Sequence, residues 1–256
     1  MGVTIQHLSK DFNLLKFHTK TWLAGMYFTM LQKEKVKLNG VELLVPYDVT
    51  DIRLRGQFQI GSYEKRERIY LEEYLDPEAS VLELGGCLGV VACVANQLLK
   101  HPERHIVVEA NPKMIPYIER NKAHNNSSFS IENCMMSSNA SNDFYIGPTI
   151  GESSMRRKWS EKISVRGKTV RELEQAYNLK FDTLIMDIEG GELVFLRENR
   201  QWLEQLHTVI LEIHPHPELL SDEEVAECRV LLESAGLKLL IEDGLIWVLK
   251  RPQGKT

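Results

Sequence analysis

From residue 80 onward, short apolar runs alternate with longer stretches in which apolar residues recur every three or four positions. A short apolar run between polar residues is typical of a buried strand, and the longer period is typical of a helix packed on one face. The runs predict strands over residues 80–84, 105–109, 128–135, 181–187 and 208–213. The periodic stretches predict helices over residues 90–99, 114–123, 169–177, 192–198 and 222–234. A final hairpin is predicted to turn at Asp243-Gly244.

Strands that alternate with helices in this way predict an α/β fold, in which a doubly wound, mostly parallel sheet carries helices on both faces. The C-terminal hairpin adds antiparallel strands at one edge, which such sheets accept. The polar segment 139–165 interrupts the alternation and is predicted to be irregular, with at most a short hairpin. Ligands of open α/β sheets bind beyond the carboxyl ends of the strands, so the residues that follow each strand are the first candidates for function.

The N-terminal part of the chain follows a different pattern. Residues 5–33 predict a helix, and residues 36–45 predict two short strands around Asn39-Gly40, a dipeptide typical of hairpin turns. A further helix is predicted over residues 61–75, with Ser62 as its N-cap. The predicted division is therefore a helical and β-hairpin extension over residues 1–60 and a main domain over residues 61–256.

Charge and composition exclude several partners. The net charge of −5 offers no basic face for phosphates, so no nucleic-acid partner is expected. The first ten residues lack the basic and apolar regions of a signal peptide, and the most apolar early stretch, residues 21–31, is too short to cross a bilayer. The four cysteines have neither metal-ligand nor disulfide-framework spacing. These features predict a cytoplasmic protein with no membrane partner.

The stretch ELGGCLG, residues 83–89, joins the first strand of the main domain to the helix that follows. Glycines allow positive φ and let a ligand approach the backbone closely. The first turn of the helix presents unpaired N–H groups and a partial positive charge. Two interpretations stay open on this stretch alone: a cofactor loop, or a tight turn that binds nothing.

Glu109 ends the next predicted strand, where a carboxylate can accept hydrogen bonds from both hydroxyls of a ribose. The loop does not match the dinucleotide pattern G-x-G-x-x-G, because Gly85 and Gly86 are adjacent. Glu83, two residues before the first glycine, suits a cofactor with an ammonium group. S-adenosylmethionine has a ribose and an amino group but no pyrophosphate, so it suits both acids.

Polar residues also follow the fourth and fifth predicted strands. Because side chains alternate along a strand, Asp187 and Glu189 can share one face, and so can Glu212 and His214. If the two strands are neighbours, these four groups converge beside the cofactor. Alternatively, Glu189 and Glu192 only favour the next helix N-terminus, and His214 is a structural histidine. Carboxylates and a histidine are also ligands for Mg²⁺ or Mn²⁺, but the ligand pattern is loose and no metal is expected.

From about residue 55 to 250 the chain resembles the FkbM-type family of S-adenosylmethionine-dependent methyltransferases. The stretches that carry the resemblance are GSYE at 61–64, VLELGGCLG at 81–89, EANP at 109–112, TVREL at 169–173 and DIEGGE at 187–192. The last stretch is similar to the family's D-x-E-G-x-E signature. Glu83 stands where the family mostly has Asp, and Cys87 where it often has Asn. The resemblance implies a seven-stranded Rossmann-like sheet of the class I methyltransferase type. It also implies methyl transfer from S-adenosylmethionine to a hydroxyl on a sugar or small-molecule metabolite.

The catalytic hypothesis assigns removal of the acceptor proton to His214 or Glu189. Asp187 is assigned to orient the methionine end of the cofactor or the base, and Glu109 to hold the ribose. The other predicted cofactor-binding residues are Tyr63 and Glu64 at the methionine end, Met136 and Ser137 at the adenine, and Glu83, Gly85, Gly86, Cys87, Gly89, Ala110 and Asn111 along the loops between them.

Two other functions stay open. An NAD(P)-dependent oxidoreductase on a related Rossmann sheet would use a dinucleotide loop, from which residues 83–89 depart. A non-catalytic interaction module would bind the cofactor but would not need acids and a histidine converging beside it.

Overall fold

The computed structural model describes the backbone of residues 2–252 and the side chains of residues 15–252. The chain forms two compact units, Met1–Lys65 and Arg66–Thr256. The side chains of the first ten residues, which carry the prediction of no signal peptide, lie outside the described part. Within that part, no helix is both long enough and apolar enough to span a membrane.

The helices of the described chain are α1 (Gly2–Met30), α2 (Ile52–Ile60), α3 (Lys65–Tyr74), α4 (Val90–Leu98), α5 (Ile115–His124), α6 (Val170–Tyr177), α7 (Glu192–Glu198), α8 (Arg200–Leu203) and α9 (Asp222–Ser234). The strands are β1 (Lys35–Leu38), β2 (Val41–Leu44), β3 (Val81–Leu84), β4 (His105–Val108), β5 (Ser130–Glu132), β6 (Met135–Met136), β7 (Ser141–Ile146), β8 (Glu161–Lys168), β9 (Thr183–Met186), β10 (Thr208–Glu212), β11 (Lys238–Asp243) and β12 (Ile246–Lys250).

The first unit holds α1, the β1–β2 hairpin and a helix, α2, that the sequence pattern does not predict. The side chain of Asp51 caps α2 by accepting a hydrogen bond from Leu54 N at 2.7 Å. Gly61 ends the helix in the left-handed conformation, with φ of 69°. The prediction that Ser62 caps a helix starting at Gly61 is therefore wrong, because Gly61 closes α2 and the next helix begins only at Lys65.

Helices α1 and α2 approach each other through two glycines. A Cβ atom on Gly25 would lie 1.7 Å from the carbonyl oxygen of Ile52, and one on Gly56 would lie 1.7 Å from that of Thr21. Neither position has room for a side chain, so the two backbones are in direct contact. A larger residue at either position would force the two helices apart.

The second unit contains the seven-stranded sheet, in the order β11-β12-β10-β9-β3-β4-β5. The five strands from β10 to β5 are parallel. Strand β12 runs antiparallel to β10, and β11 runs antiparallel to β12. This order confirms the predicted fold: a doubly wound, mostly parallel sheet that ends in an antiparallel C-terminal hairpin.

Side chains alternate across this sheet, and both faces are buried. Leu82 and Leu84 belong to an apolar cluster with residues of α6, α7 and α9, such as Leu173, Leu193 and Leu232. Val81 and Glu83, the other two residues of β3, project to the opposite face. There Val107 of β4 lies beneath Ile118 of α5, close enough that both would touch a side chain at position 86. The sheet is therefore rigid on both sides, which fixes the positions of the loops at its carboxyl edge.

The region after β4 differs from the prediction. The expected strand over residues 128–135 is two strands, because β5 ends at Glu132 and β6 pairs with β8 in a separate three-stranded sheet. The polar segment 139–165 contains β7 and part of β8, which pair in antiparallel register from Ser141 opposite Arg166 to Ile146 opposite Glu161. Most residues of these two strands are not buried, so the sequence contains no apolar run that would predict them.

The glycine contact between α1 and α2 gives a local stability prediction. Replacing Gly25 with Ala should lower the local free energy of unfolding of these helices by about 2 kcal/mol, because overpacking outweighs the higher helix propensity of Ala. Hydrogen exchange of the α1 and α2 amides should then be roughly 30-fold faster. Exchange in β3 and β9 should be unchanged, and the exposed Lys20→Ala variant should match wild type throughout. Equal exchange in both variants would contradict the close approach.

Candidate active site

The loops after β9, β3 and β4 lie side by side at the carboxyl edge of the sheet. Gly85 N donates to Val108 O and Asp187 N donates to Leu84 O, each at 2.9 Å. These two bonds continue the pairing of the strands for one residue beyond their ends. The glycine loop therefore lies between the loop of Glu109 on one side and the loop of Asp187 on the other.

Gly85 makes the close approach between these loops possible. Its φ is 95°, and a Cβ atom there would lie 1.7 Å from the carbonyl oxygen of Asp187. Cys87 and Gly89 also have positive φ, of 45° and 76°, so the chain turns back sharply before α4 begins. Gly86 and Gly89 pack directly against Ile118 of α5. The five residues from Gly85 to Gly89 thus form a tight turn at the sheet edge, in which Gly85 and Cys87 are partly exposed and the other three are buried.

Glu109 ties the glycine loop to the next strand. Its Oε2 accepts a hydrogen bond from Cys87 N at 2.8 Å, and its Oε1 accepts one from Asn111 N at 2.6 Å. Burial raises the pKa of this carboxyl group, and the two backbone N–H groups oppose that shift by stabilising the charged form. Each carboxylate oxygen can accept a further hydrogen bond. The group is therefore held in place with acceptor capacity left for a ligand.

Glu83 has a protein partner inside the sheet. Its Oε2 lies 3.0 Å from His105 Nε2, and the side chain of His105 is fully buried while that of Glu83 is 1% exposed. The imidazole Nδ1 in turn lies 3.5 Å from Asn96 Nδ2 on α4. The predicted contact between Glu83 and an ammonium group stays a prediction, and the observed partner of this acid is His105.

The remaining predicted cofactor residues lie directly after Glu109, in the three-stranded sheet and in the first compact unit. Ala110 and Asn111 follow Glu109 directly, and Asn111 Nδ2 donates to Ser153 Oγ at 3.4 Å. Met136 lies in β6, and Ser137 N donates to Lys168 O at 3.0 Å, so both belong to the three-stranded sheet and not to the tip of β5. At that tip stands Asn133, whose Nδ2 donates to Glu109 O at 2.7 Å.

Tyr63 and Glu64 lie in the first compact unit. The ring of Tyr63 stacks on that of Phe58, with centroids 4.4 Å apart. Glu64 has a positive φ of 46° just before α3. Their assignment to the methionine end of a cofactor stays a prediction.

His214 is the centre of a cluster of acids at the tips of β9 and β10. Its Nδ1 lies 2.7 Å from Glu192 Oε1. Three other carboxylate oxygens surround Nε2, at 3.5 Å for Asp187 Oδ1, 3.7 Å for Glu189 Oε1 and 3.9 Å for Glu212 Oε1. The structure therefore brings together the four groups that the strand pattern predicts to converge, and it adds Glu192.

The backbone around Glu189 explains how the cluster forms. β9 and β10 pair in parallel with Met186 opposite Leu211, which places Asp187 and Glu212 side by side at the sheet edge. Glu189 and Gly190 both have positive φ, of 50° and 93°, so the chain turns back before α7. Ser154 Oγ donates to Glu189 O at 2.6 Å and fixes this turn to the loop between β7 and β8.

Crowding of charge shifts the titration of these groups. Burial, opposed by the charge of His214, raises the pKa of Asp187 to about 6 and that of Glu189 to about 7. Burial and the neighbouring Asp187 and Glu67 raise the pKa of Glu212 well above its ordinary value. Burial alone would lower the pKa of His214, but its hydrogen bond to Glu192 and the charges of the other acids raise it to about 10. Asp187, Glu189 and Glu212 therefore hold their protons more tightly than free carboxyl groups do, because one imidazole does not balance so many buried acids.

Two members of the cluster escaped the sequence prediction as functional residues. Glu192 is the first residue of α7, and its side chain is fully buried against His214. The sequence pattern predicted for it only the role of an acid at the helix N-terminus, where acids are common. Glu67 lies on α3 and shares a hydrogen bond with Glu212, which raises the pKa of Glu212. Nothing in the pattern around residue 67 distinguishes it from an ordinary helix surface acid.

Comparison with known proteins adds to this geometry. A search of the curated proteins finds no match. Solved structures with similar folds include a ribosomal protein L11 methylase from Lactobacillus delbrueckii subsp. bulgaricus, with 12% identity, coverage of 75% of this chain and 80% of that chain, and a TM-score of 0.46. An O-methyltransferase from Bacillus cereus in complex with SAH has 13% identity, coverage of 72% and 80%, and a TM-score of 0.45. Similarities this distant say nothing about cofactor or substrate.

The sheet order, the glycine turn after its central strand and the acids at its carboxyl edge define a Rossmann-like methyltransferase fold. The family model described as the methyltransferase FkbM domain matches residues 83–239, which is more than half of the chain. The chain therefore belongs to the FkbM methyltransferase family, and the resemblance seen in its sequence is confirmed.

The contact between Gly85 and Asp187 gives a prediction for the second unit. Gly85→Ala adds a Cβ atom at a positive φ and against a carbonyl oxygen, so it should destabilise β3 and β9 by roughly 3 kcal/mol or more. Urea unfolding followed by circular dichroism, with hydrogen exchange at β3 and β9, measures the change.

Gly151→Ala is the matched control, because a Cβ atom there would meet nothing closer than Glu189 Oε1 at 4.0 Å. Its effect should stay within about 0.5 kcal/mol. Equal stability of the two variants would show that the loops after β3 and β9 are not in contact.

Proposed function

We propose that this protein is an S-adenosylmethionine-dependent methyltransferase that methylates a hydroxyl group on a sugar or another small metabolite. The observation that carries the proposal is the fixed carboxylate of Glu109 beside the glycine turn, one strand away from the acid cluster around His214. Glu109 would accept hydrogen bonds from the ribose, and the turn would hold the methionine end. The acids at the tips of β9 and β10 would then face the methyl group.

Methyl transfer from S-adenosylmethionine requires little covalent chemistry from the protein. The sulfonium already activates the methyl group, so the enzyme must mainly place the acceptor oxygen in line behind it and exclude water. The buried faces of the sheet give the rigid support that such placement needs. A cofactor with a sulfonium and an ammonium group also suits the excess negative charge of the edge.

A hydroxyl acceptor loses its proton as the new bond forms, and a base speeds this step. Of the two candidates, we assign Glu189 to this role on geometry. The side chain of Glu189 is 27% exposed, whereas that of His214 is 11% exposed and has its Nδ1 occupied by Glu192. Glu189 therefore offers an incoming acceptor the more accessible oxygen, and His214 holds the acids in place.

The charge of the site also bears on the acceptor. Four carboxyl groups lie within 4 Å of His214, and a fifth, that of Glu67, is hydrogen-bonded to Glu212. A site lined by so many carboxyl groups repels phosphates, attracts cations and accepts neutral molecules. A polyhydroxylated acceptor suits it because carboxylates accept hydrogen bonds from hydroxyls. We therefore propose a small, uncharged acceptor and no nucleic-acid partner.

The ribose assignment is tested by replacing Glu109. Calorimetry should show that the wild-type protein binds S-adenosylhomocysteine and does not bind NAD⁺. Glu109→Ala should weaken S-adenosylhomocysteine binding by roughly 100-fold, since two hydrogen bonds to a charged acceptor are lost and each contributes at least about 1.5 kcal/mol.

Glu109→Gln keeps one carbonyl acceptor and should show an intermediate loss. Glu119→Gln, at an exposed position on α5, should bind as wild type does. An unchanged affinity in Glu109→Ala would remove Glu109 from the cofactor site, and a wild-type protein that binds NAD⁺ alone would refute the proposed function.

The base assignment is tested with Glu189→Gln. Formation of S-adenosylhomocysteine, measured by mass spectrometry over a panel of sugars and hydroxylated metabolites, should fall roughly 10²- to 10⁴-fold in kcat for this variant. Its affinity for S-adenosylhomocysteine should stay within about threefold of wild type, because a base acts on the acceptor and not on the donor. Glu198→Gln, an exposed acid on α7, is the control. Full turnover in Glu189→Gln would assign the base elsewhere.

A further inference from the structure

The imidazole of His214 lies in an unusual electrostatic position. Its Nδ1 is 2.7 Å from Glu192 Oε1, a distance at which Nδ1 donates its proton to the carboxylate. Metal binding would displace any proton on Nε2 and free its lone pair for the ion. Nε2 faces the carboxylate oxygens of Asp187, Glu189 and Glu212. A cation placed among them would be held by the imidazole nitrogen and by the carboxylates.

The distances around Nε2 are too long for good hydrogen bonds and suit a shared ligand. They run from 3.5 Å at Asp187 to 3.9 Å at Glu212, whereas an N–H···O bond spans about 2.7–3.2 Å. Ligands about 2.1 Å from one metal ion are about 3.0–3.4 Å apart when they are adjacent. One atom each from Asp187, Glu212 and His214 lies within 4.8 Å of the others, so small side-chain movements bring all three onto one ion.

Glu192 supplies a second, independent observation. Its side chain is completely buried, and its Oε2 has no hydrogen-bond partner among the described residues. A buried carboxylate is costly unless it is paired, yet the group it contacts is an imidazole that several other acids also crowd. A carboxylate that fixes one nitrogen of a histidine and leaves the other toward acidic ligands is the usual outer support of a metal-binding histidine.

We propose that Asp187, Glu212 and His214 bind one divalent metal ion, with Nε2 of His214 as the nitrogen ligand and Glu192 as the residue that orients it. Two carboxylates and one imidazole suit Mn²⁺ better than Ca²⁺, which takes only oxygen ligands. Three protein ligands leave coordination positions open to water or a substrate oxygen. The sequence pattern allowed a metal but predicted none, because these ligands come from two strands that only the fold makes neighbours.

The role of this ion rests on the proposed function, whereas its binding does not. A bound divalent cation would polarise the acceptor hydroxyl and favour loss of its proton to Glu189. It would also neutralise part of the charge that the acids carry. Glu189 is 3.7 Å from Nε2 and is left as the base beside the ion.

The test begins with the full-length protein, treated with EDTA and then titrated with MnCl₂ while electron paramagnetic resonance measures unbound Mn²⁺. We expect one Mn²⁺ per chain, with a Kd below about 1 mM, the weak limit for protein cation sites. Spin-echo modulation of the bound Mn²⁺ should show one imidazole nitrogen. This signature is measured on the wild-type protein, so it does not depend on any variant folding.

Variants then identify the ligands. Asp187→Asn and Glu212→Gln, which preserve side-chain shape, should each weaken Mn²⁺ binding at least about tenfold. Glu192→Gln should weaken it roughly 10- to 100-fold through the orientation of His214. Glu204→Gln, an exposed acid outside the cluster, should bind Mn²⁺ as wild type does. Circular dichroism confirms that each variant is folded.

Several outcomes would overturn the metal site. They are no stoichiometric Mn²⁺ binding, binding that Asp187→Asn and Glu212→Gln leave unchanged, or a bound Mn²⁺ without a nitrogen ligand. Mutually exclusive binding of Mn²⁺ and S-adenosylhomocysteine would also overturn it, because the acids would then serve the ammonium group of the cofactor. If the protein binds S-adenosylhomocysteine but not Mn²⁺, the metal site is refuted and the methyltransferase proposal is retained. If it binds Mn²⁺ but not S-adenosylhomocysteine, the metal site is retained and the methyltransferase proposal is refuted.

Discussion

The candidate site depends on the direct contact between the loops that follow β3 and β9. Gly85 lies against the carbonyl oxygen of Asp187 with no room for a side chain, and Asp187 N is bonded to Leu84 O. A larger residue at position 85 would separate the glycine turn from the acid cluster. Since Glu109 holds the other side of the same turn, this contact makes one site out of three loops. The rigid, doubly covered sheet below keeps that arrangement fixed.

Electrostatics divides this site into two parts. On the side of β4, the charge of Glu109 is satisfied by two backbone N–H groups, so a ligand needs only to complete its hydrogen bonds. On the side of β9 and β10, four acids lie within 4 Å of one histidine, and burial together with the neighbouring acids raises the pKa values of Asp187, Glu189 and Glu212. Proteins accept the cost of such clusters mainly where function requires them. A cationic cofactor and a divalent ion would each offset part of that cost.

The sequence predicted the large elements well because their hydrophobic periods are distinct. The mostly parallel sheet, the C-terminal hairpin and the tips at Glu109, Asp187 and His214 follow from alternating runs and from the rule that parallel strands end at one edge. The sequence prediction failed for elements that no hydrophobic pattern marks. Helix α2 follows a cap residue, Asp51, and carries an internal glycine, and most residues of β7 and β8 are not buried. Glu67 reaches the cluster from a different helix, a contact that only the fold creates.

The two acids nearest the glycine loop show why a motif alone does not assign a role. Glu83 and Glu109 stand near the ends of neighbouring strands, and both suit a cofactor when the sequence is considered alone. In the fold, Glu83 belongs to the buried face beneath α4, where His105 is its partner, and Glu109 stands one residue beyond β4 with its oxygens on the loop backbone. Two residues of register decide the difference, because Glu83 pairs with Val107 inside the sheet and Glu109 lies two positions further along, beyond the end of its strand. The carboxylate at the edge lines the candidate site, and the one beneath the helix contacts His105 on the neighbouring strand.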